Sequence, residues 1–318
     1  MRAVVCSRYG PPDVLVVKEV PTPTPGPGQI RIRIAAFPVV APDRRIRGLS
    51  VPFPRAAPLI RLFLRAMFGL VRPRHPILGD CLSGTVDAIG TGVDAHHVGD
   101  EVFGLSDRWK RATYAEYVCL PQDAWLTPKP PNVGLIDAAA LPYGGCNALH
   151  FLRVAGGVHA GQKLLVRGAA GAVGSSIVQL AKASGADVTG LCSGDAQALV
   201  ESIGADRVTV YTDAEPLGRG GPYDLVIDAV GGTHRDDWGE RLSPDGRFVT
   251  VLSKVAQTSQ ADLTELAHRV ETGSFRPVVD RYFPLEQTAA AHAYGDRGHA
   301  RGTPLVVADR AVDLTGLG

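Results

Sequence analysis

The chain has 318 residues, 45% of them hydrophobic, and a formal net charge of +1. That length accommodates two domains and that hydrophobic share fills their cores, so a disordered chain is excluded. No basic run occurs, so nothing points to nucleic acid or an anionic membrane surface, and the longest apolar run, 59–71, is interrupted by Arg61 and Arg65 and is too short to cross a bilayer.

The first ten residues, MRAVVCSRYG, lack the apolar core of a signal peptide. The five cysteines lie far apart, at 6, 81, 119, 146 and 192, with no CxxC pair. A reducing, cytoplasmic setting is expected, with neither a disulfide framework nor a zinc knuckle. His75, His96 and His97 are not spaced as ligands with any cysteine, so no metal site is predicted. Short strands are predicted at 2–6, 15–20 and 30–35. In the last, Ile30-Arg31-Ile32-Arg33-Ile34 alternates strictly, the mark of a half-exposed strand. PTPTPGPG at 21–28 reads as a stiff turn. Over 59–71, Leu59, Ile60, Phe63, Leu64, Met67 and Phe68 share one face of a helix, which covers either the core or a substrate pocket. Strands return at 83–89, 101–104 and 115–120. Around 126–131 proline accumulates and the pattern turns helical, at 135–140 and 147–154, which ends an all-β domain at 1–125.

The stretch 163–182, KLLVRGAAGAVGSSIVQLAK, changes the architecture. An apolar run is followed by the turn Gly168-Ala169-Ala170-Gly171-Ala172-Val173-Gly174 and then by apolar residues at helical spacing. Strand, glycine turn and helix together form the context of a dinucleotide fingerprint. Glycine lets the backbone approach a pyrophosphate, and the helix aims its free N–H groups and positive dipole end at it. Strands at 164–167, 187–192, 207–211, 223–230 and 247–252 follow, with helices at 175–184 and 195–203. The alternation predicts an α/β unit, a Rossmann doubly wound parallel sheet over 126–277.

With these residues in view, the chain resembles the medium-chain dehydrogenase/reductase superfamily. It looks most like the zinc-less quinone-oxidoreductase branch, near the reticulon-interacting-protein-like reductases. The resembling blocks include Met67-Phe68-Gly69-Leu70, Pro76-Ile77-Leu78-Gly79, Gly99-Asp100-Glu101-Val102-Phe103-Gly104 and Tyr114-Ala115-Glu116-Tyr117-Val118. Ala138-Ala139-Ala140-Leu141-Pro142, Ile203-Gly204-Ala205-Asp206, Tyr223-Asp224-Leu225-Val226-Ile227-Asp228 and Gly298-His299-Ala300-Arg301-Gly302 continue the series. The resemblance implies a GroES-like β-domain on the substrate side, a Rossmann domain carrying the cofactor, and a last segment, 278–318, that returns to the β-domain.

The tip of the second Rossmann strand reads Cys192-Ser193-Gly194, without the carboxylate that binds a free ribose 2′-OH in NAD enzymes. NADPH is therefore the expected cofactor. NADH is the alternative, with Asp195 accepting from the 2′-OH. By resemblance, Ser193 and Tyr211 match a serine and a tyrosine that contact the 2′-phosphate, while Asp195-Ala196-Gln197 stands where a lysine is usual. The resemblance also assigns cofactor contacts to Asn147, Ala170, Gly171, Ala172, Val173, Gly174, Val230, Gly231, Val251 and Leu252. Several positions depart from the family: Val39 for an asparagine, Asp80-Cys81 after Gly79, Asn147 for a threonine, and Thr303 for a lysine. Cys81 reads as a buried small hydrophobe.

Hydride transfer to an activated alkene needs orientation and a donor for the developing enolate. Tyr143, Asp43 and the 2′-OH of the nicotinamide ribose are the candidate proton sources. Two readings follow. One is a zinc-independent reductase of an enone, quinone or similar small molecule. The other keeps the cofactor fold without hydride transfer, as a natural-product cyclase or isomerase or a binding protein. Finally, only 253–262 separates the strand at 247–252 from a helix at 263–270, where relatives carry a strand pair that forms their dimer edge. A monomer is expected, or a dimer through another surface such as the 59–71 helix.

Overall fold

A computed structural model describes residues 1–49, 65, 68–70, 72–106, 111–212, 217, 220–252, 256–309, 312 and 314. The helix expected over 59–71 lies largely outside the described residues. The chain divides into two compact units, one of Met1–Pro142, Val279–His299 and Thr303–Gly318, the other of Tyr143–Val278 and Ala300–Gly302. The strands are β1 (Arg2–Cys6), β2 (Leu15–Glu19), β3 (Gln29–Pro38), β4 (Cys81–Ile89), β5 (Glu101–Leu105), β6 (Tyr117–Pro121) and β7 (Leu126–Pro128). They continue as β8 (Lys163–Arg167), β9 (Asp187–Cys192), β10 (Arg207–Val210), β11 (Tyr223–Asp228), β12 (Leu242–Thr250), β13 (Val279–Pro284) and β14 (Thr303–Val307).

The first unit is built around β3. Its alternation places Ile30, Ile32 and Ile34 in the core with Leu82, Val86, Val102, Val118 and Leu120. Arg31, on the other face, is held bidentately by Asp87 at 2.9 and 3.0 Å. Each buried isoleucine contributes roughly 1.5–3 kcal/mol. The sheet runs β13-β14-β3-β4-β5-β7, with β6 also paired to β3. All its pairs are antiparallel except β13 with β14. Two details differ from expectation. β7 forms inside the proline-rich stretch by pairing Val102 with Pro128, so the unit boundary falls after Pro142 rather than at 125. The residues after β3, where the sequence reading placed no helix, form the helix Ala41–Gly48, which tolerates Pro42 in its first turn, where a missing N–H costs nothing.

The second unit is a five-stranded parallel sheet in the order β10-β9-β8-β11-β12. Leu164, Leu165 and Val166 of β8 face Leu225, Val226 and Ile227 of β11 in register, all fully buried. These near-continuous apolar runs are what a sheet covered on both faces requires. The helix Ala172–Ala183 follows β8, and Gln197–Ser202 follows β9 after a short 3₁₀ turn. The strand order reverses between β8 and β11, the position at which doubly wound sheets bind ligands outside their carboxyl ends. Among the described residues no strand lies beyond β12. The chain passes instead into the helix Gln260–Glu271, whose start is fixed by a reciprocal cap between Ser259 and Asp262.

Candidate functional site

The turn after β8 is shaped by backbone contact. Gly168 has φ +76°, and a Cβ on Gly174 would lie 2.0 Å from the Gly168 carbonyl oxygen. The helix Ala172–Ala183 therefore starts directly against the turn, with only hydrogen at the point of closest approach. Its cap residue is Gly171, which brings no side chain to the first N–H groups. Those orphan donors and the helix dipole point at one spot, which fits a pyrophosphate. Ala170 is buried, while Gly171, Ala172 and Val173 are half-buried.

The other expected cofactor residues sit at the carboxyl ends of the remaining strands. Ser193 follows β9, Tyr211 follows β10, Val230 and Gly231 follow β11, and Val251 and Leu252 follow β12. With the fingerprint after β8, all five parallel strands deliver a candidate to one rim of the sheet. Val230 is exposed, Tyr211, Val251 and Leu252 are half-buried, and a Cβ on Gly231 would meet the Leu252 side chain at 2.4 Å. The Ser193 hydroxyl donates to Asp195 at 2.5 Å rather than capping the following turn. The Tyr211 N–H donates to the Cys192 carbonyl at 2.9 Å, and the Arg167 guanidinium lies 5.8 Å from its ring centre. Burial pushes the Tyr211 phenol up, opposed by Arg167 and by the Gly168 backbone.

Asp228, at the end of β11, organises this rim and was not assigned a role from sequence. It is fully buried, and it accepts from the N–H groups of Val230, Gly231 and Thr233 and from the Thr233 hydroxyl. Arg167, at the end of β8, donates to it at 2.9 Å and to the Gly231 carbonyl at 3.2 Å. Burial alone would raise its pKa, but the Thr233 hydroxyl, the Gly231 N–H and Arg167 together hold it below the ordinary carboxylate range. The signal in the sequence was Asp228 followed by Gly231, Gly232 and Thr233, an aspartate folding a turn back onto itself.

The two candidate acids stand in different settings. Tyr143 is half-buried near the start of the helix Leu141–Val154, and its carbonyl accepts from the Asn147 amide at 2.7 Å. Both lie beside the fingerprint, since Gly144 packs against the Ala172 carbonyl and the Ser176 hydroxyl. Asp43 belongs to the first unit and is 1% exposed. Arg111 donates to one of its oxygens at 2.7 Å and the Tyr114 hydroxyl to the other at 3.1 Å. His292 lies 3.1 Å from that hydroxyl, and Asp80 lies 3.8 Å from Arg111. Burial, reinforced by Asp80, pushes the Asp43 carboxyl up to about 7 against the pull of Arg111 and Tyr114. Burial pushes His292 down to about 3, so it is neutral. Cys81 is buried. Among the described residues no group of three or more His, Cys, Asp or Glu side chains is placed to hold a metal ion, and no helix is long and apolar enough to cross a membrane.

Comparison with known proteins agrees with this geometry. Residues 253–304 match the family model described as zinc-binding dehydrogenase. The NAD(P)H oxidoreductase RTN4IP1, mitochondrial, of Mus musculus is 32% identical over 277 residues, covering 72% of this chain and 69% of that protein. The NADPH-dependent alkenal/one oxidoreductase, chloroplastic, of Arabidopsis thaliana is 31% identical over 253 residues, covering 74% of this chain and 64% of that protein. Among solved structures, the quinone oxidoreductase from Coxiella burnetii superposes with a TM-score of 0.79 at 27% identity, over 96% of this chain and 99% of that one. The relatives of the same name in Homo sapiens, Bos taurus and Danio rerio are likewise named as mitochondrial. This overturns the cytoplasmic expectation: a missing apolar core at the first residues bears on secretion and does not distinguish the cytosol from an organelle. The parallel sheet with its glycine turn, the separate β-domain and the similarity across most of its length place the chain in the medium-chain dehydrogenase/reductase superfamily, in the quinone-oxidoreductase-like branch of NAD(P)H oxidoreductases.

Proposed function

We infer that the protein is an NADPH-dependent, zinc-independent reductase of a small molecule carrying an activated alkene, such as an enone or a quinone. The observation that carries this reading is the single rim: five strands each end in a residue suited to a dinucleotide, around a helix start free of side-chain caps. NADPH supplies the hydride. In this reading the N–H groups after Gly171 hold the pyrophosphate, and Ser193 and Tyr211 hydrogen-bond the 2′-phosphate. Val230, Gly231, Val251 and Leu252 border the cofactor, and Asn147 lies on its nicotinamide side. Tyr143 is the acid that retains accessible surface, whereas Asp43 has almost none. The relative named as an NADPH-dependent alkenal/one oxidoreductase supports both the cofactor and the acceptor class. The test is NADPH oxidation followed across a panel of quinones and enones, with NADPH binding measured in parallel and a chelator present throughout. Turnover that prefers NADPH and ignores the chelator is expected. Saturable NADPH binding with no turnover on any acceptor would instead point to a cofactor-fold protein without hydride transfer.

A further inference from the structure

Within the first unit lies a cavity of about 200 Å³ that the cofactor reading leaves unused. Ile46, Phe68, Pro73 and Leu78 give it apolar walls. Its only polar lining among the described residues is Arg74, His75 and Arg111, so no acidic side chain faces it there. Arg74 and His75 reach solvent, whereas Arg111 is 9% exposed. Arg74 makes no ion pair among the described residues.

Arg111 is fixed in this place. Its Nη1 donates to Asp43 at 2.7 Å, while its buried Nε has no hydrogen-bond partner among the described residues. A buried donor left unpaired is costly. Its backbone sits in the left-handed region at φ +52°, and Ala112 follows at +83°. Residues with side chains adopt that conformation only under strain, which clusters where ligands are held. Asp43 balances only part of the Arg111 charge near neutral pH, since burial pushes its carboxyl up to about 7. Asp80, at 3.8 Å, is too far from the guanidinium for a hydrogen bond. An inorganic anion would leave the apolar walls bare, and an uncharged ring would leave the cations unanswered. A ligand with an apolar body and one carboxylate meets both. An apolar cavity of about 150 Å³ accommodates benzene, so this one has room for a single ring and its acid group.

We propose that the cavity binds a small organic acid, with its carboxylate on Arg111 and Arg74 and its apolar body against Ile46, Phe68 and Leu78. The planar guanidinium matches a carboxylate with paired donors. The inference stands apart from the NADPH reading, because it uses no residue of the second unit. Benzoate is the probe, titrated into the full chain by calorimetry, with benzamide and inorganic phosphate as counterparts lacking the charge or the ring. Saturable benzoate binding is expected, on the order of tenfold tighter than either counterpart. Arg74→Gln, at an exposed position, should weaken benzoate by about threefold to fivefold and leave benzamide unchanged. Ile46→Phe should abolish binding by filling the cavity. Arg111→Gln should abolish it too. That variant also strips Asp43 of a partner, so its melting temperature is measured alongside, and Arg74→Gln carries the test if it unfolds. No saturable benzoate binding, or benzamide bound as tightly as benzoate, overturns the proposal. Benzoate affinity unchanged in Arg74→Gln overturns it as well, as does affinity that survives in a folded Ile46→Phe.

Discussion

The carboxyl of Asp43, sealed between Arg111 and Tyr114, titrates far from its ordinary 3.8, at about 7. The folded protein therefore binds this proton more tightly than the unfolded chain does. The group's contribution to stability is fully present below about pH 4 and is lost as pH rises toward 7. Asp43→Asn should flatten the stability–pH curve across that window, which chemical denaturation at a series of pH values would measure. Asp43→Ala should cost about 3–5 kcal/mol, because it leaves Arg111 buried without its nearest partner. Turnover per folded molecule should survive Asp43→Asn if the acid is structural. Loss of turnover at unchanged stability would return Asp43 to the reacting groups. None of this was legible in the sequence, because its partners lie 68 and 71 positions away. Asp228 was closer to legible, since among the described residues four of the five donors to its carboxylate come from the next five residues.

At the scale of elements, the strand–turn–helix after β8 was readable because every feature that makes it is local. Glycines, an apolar strand and a helical repeat fall within twenty residues. The structure adds which glycine is indispensable. A methyl group at Gly174 would collide with the Gly168 carbonyl at 2.0 Å, while one at Gly171 would meet nothing nearer than 3.6 Å. Gly174→Ala should lose cofactor binding and destabilise the unit by about 1–3 kcal/mol. Gly171→Ala should fold normally. Calorimetry on both variants checks this, and wild-type NADPH affinity in Gly174→Ala would remove the fingerprint from the cofactor site. Elements made by distant pairing were harder to read. β7 looks like a proline-rich connection until Val102 is seen opposite Pro128. The helix Ala41–Gly48 hides behind a proline that suits its first turn.

For the molecule as a whole, the alternation of strands and helices was enough to predict a parallel sheet, and the order of its strands came from the structure. Its assembly follows from what lies past β12. That strand is the sheet edge, and the residues described between it and the helix Gln260–Glu271 add no further strand. We expect a monomer, or a dimer that does not pair through β12, and light scattering at micromolar concentration measures it. A dimer with one sheet continuous through β12 would refute the expectation. Elemental analysis should find no stoichiometric zinc, and about one zinc per chain would contradict the zinc-independent reading. The return of residues 300–307 has a consequence for how the protein is made. Gly302 completes a bridge to Gly171 in one unit, and Leu305 pairs with Pro38 in the other. A ribosome releases the chain from its first residue, yet the sheet of the first unit is incomplete until β13 and β14 have emerged. Completing the first unit before the second is made is thus denied to this chain, and the Ala36–Pro38 end of β3 must wait for a partner translated more than 260 residues later.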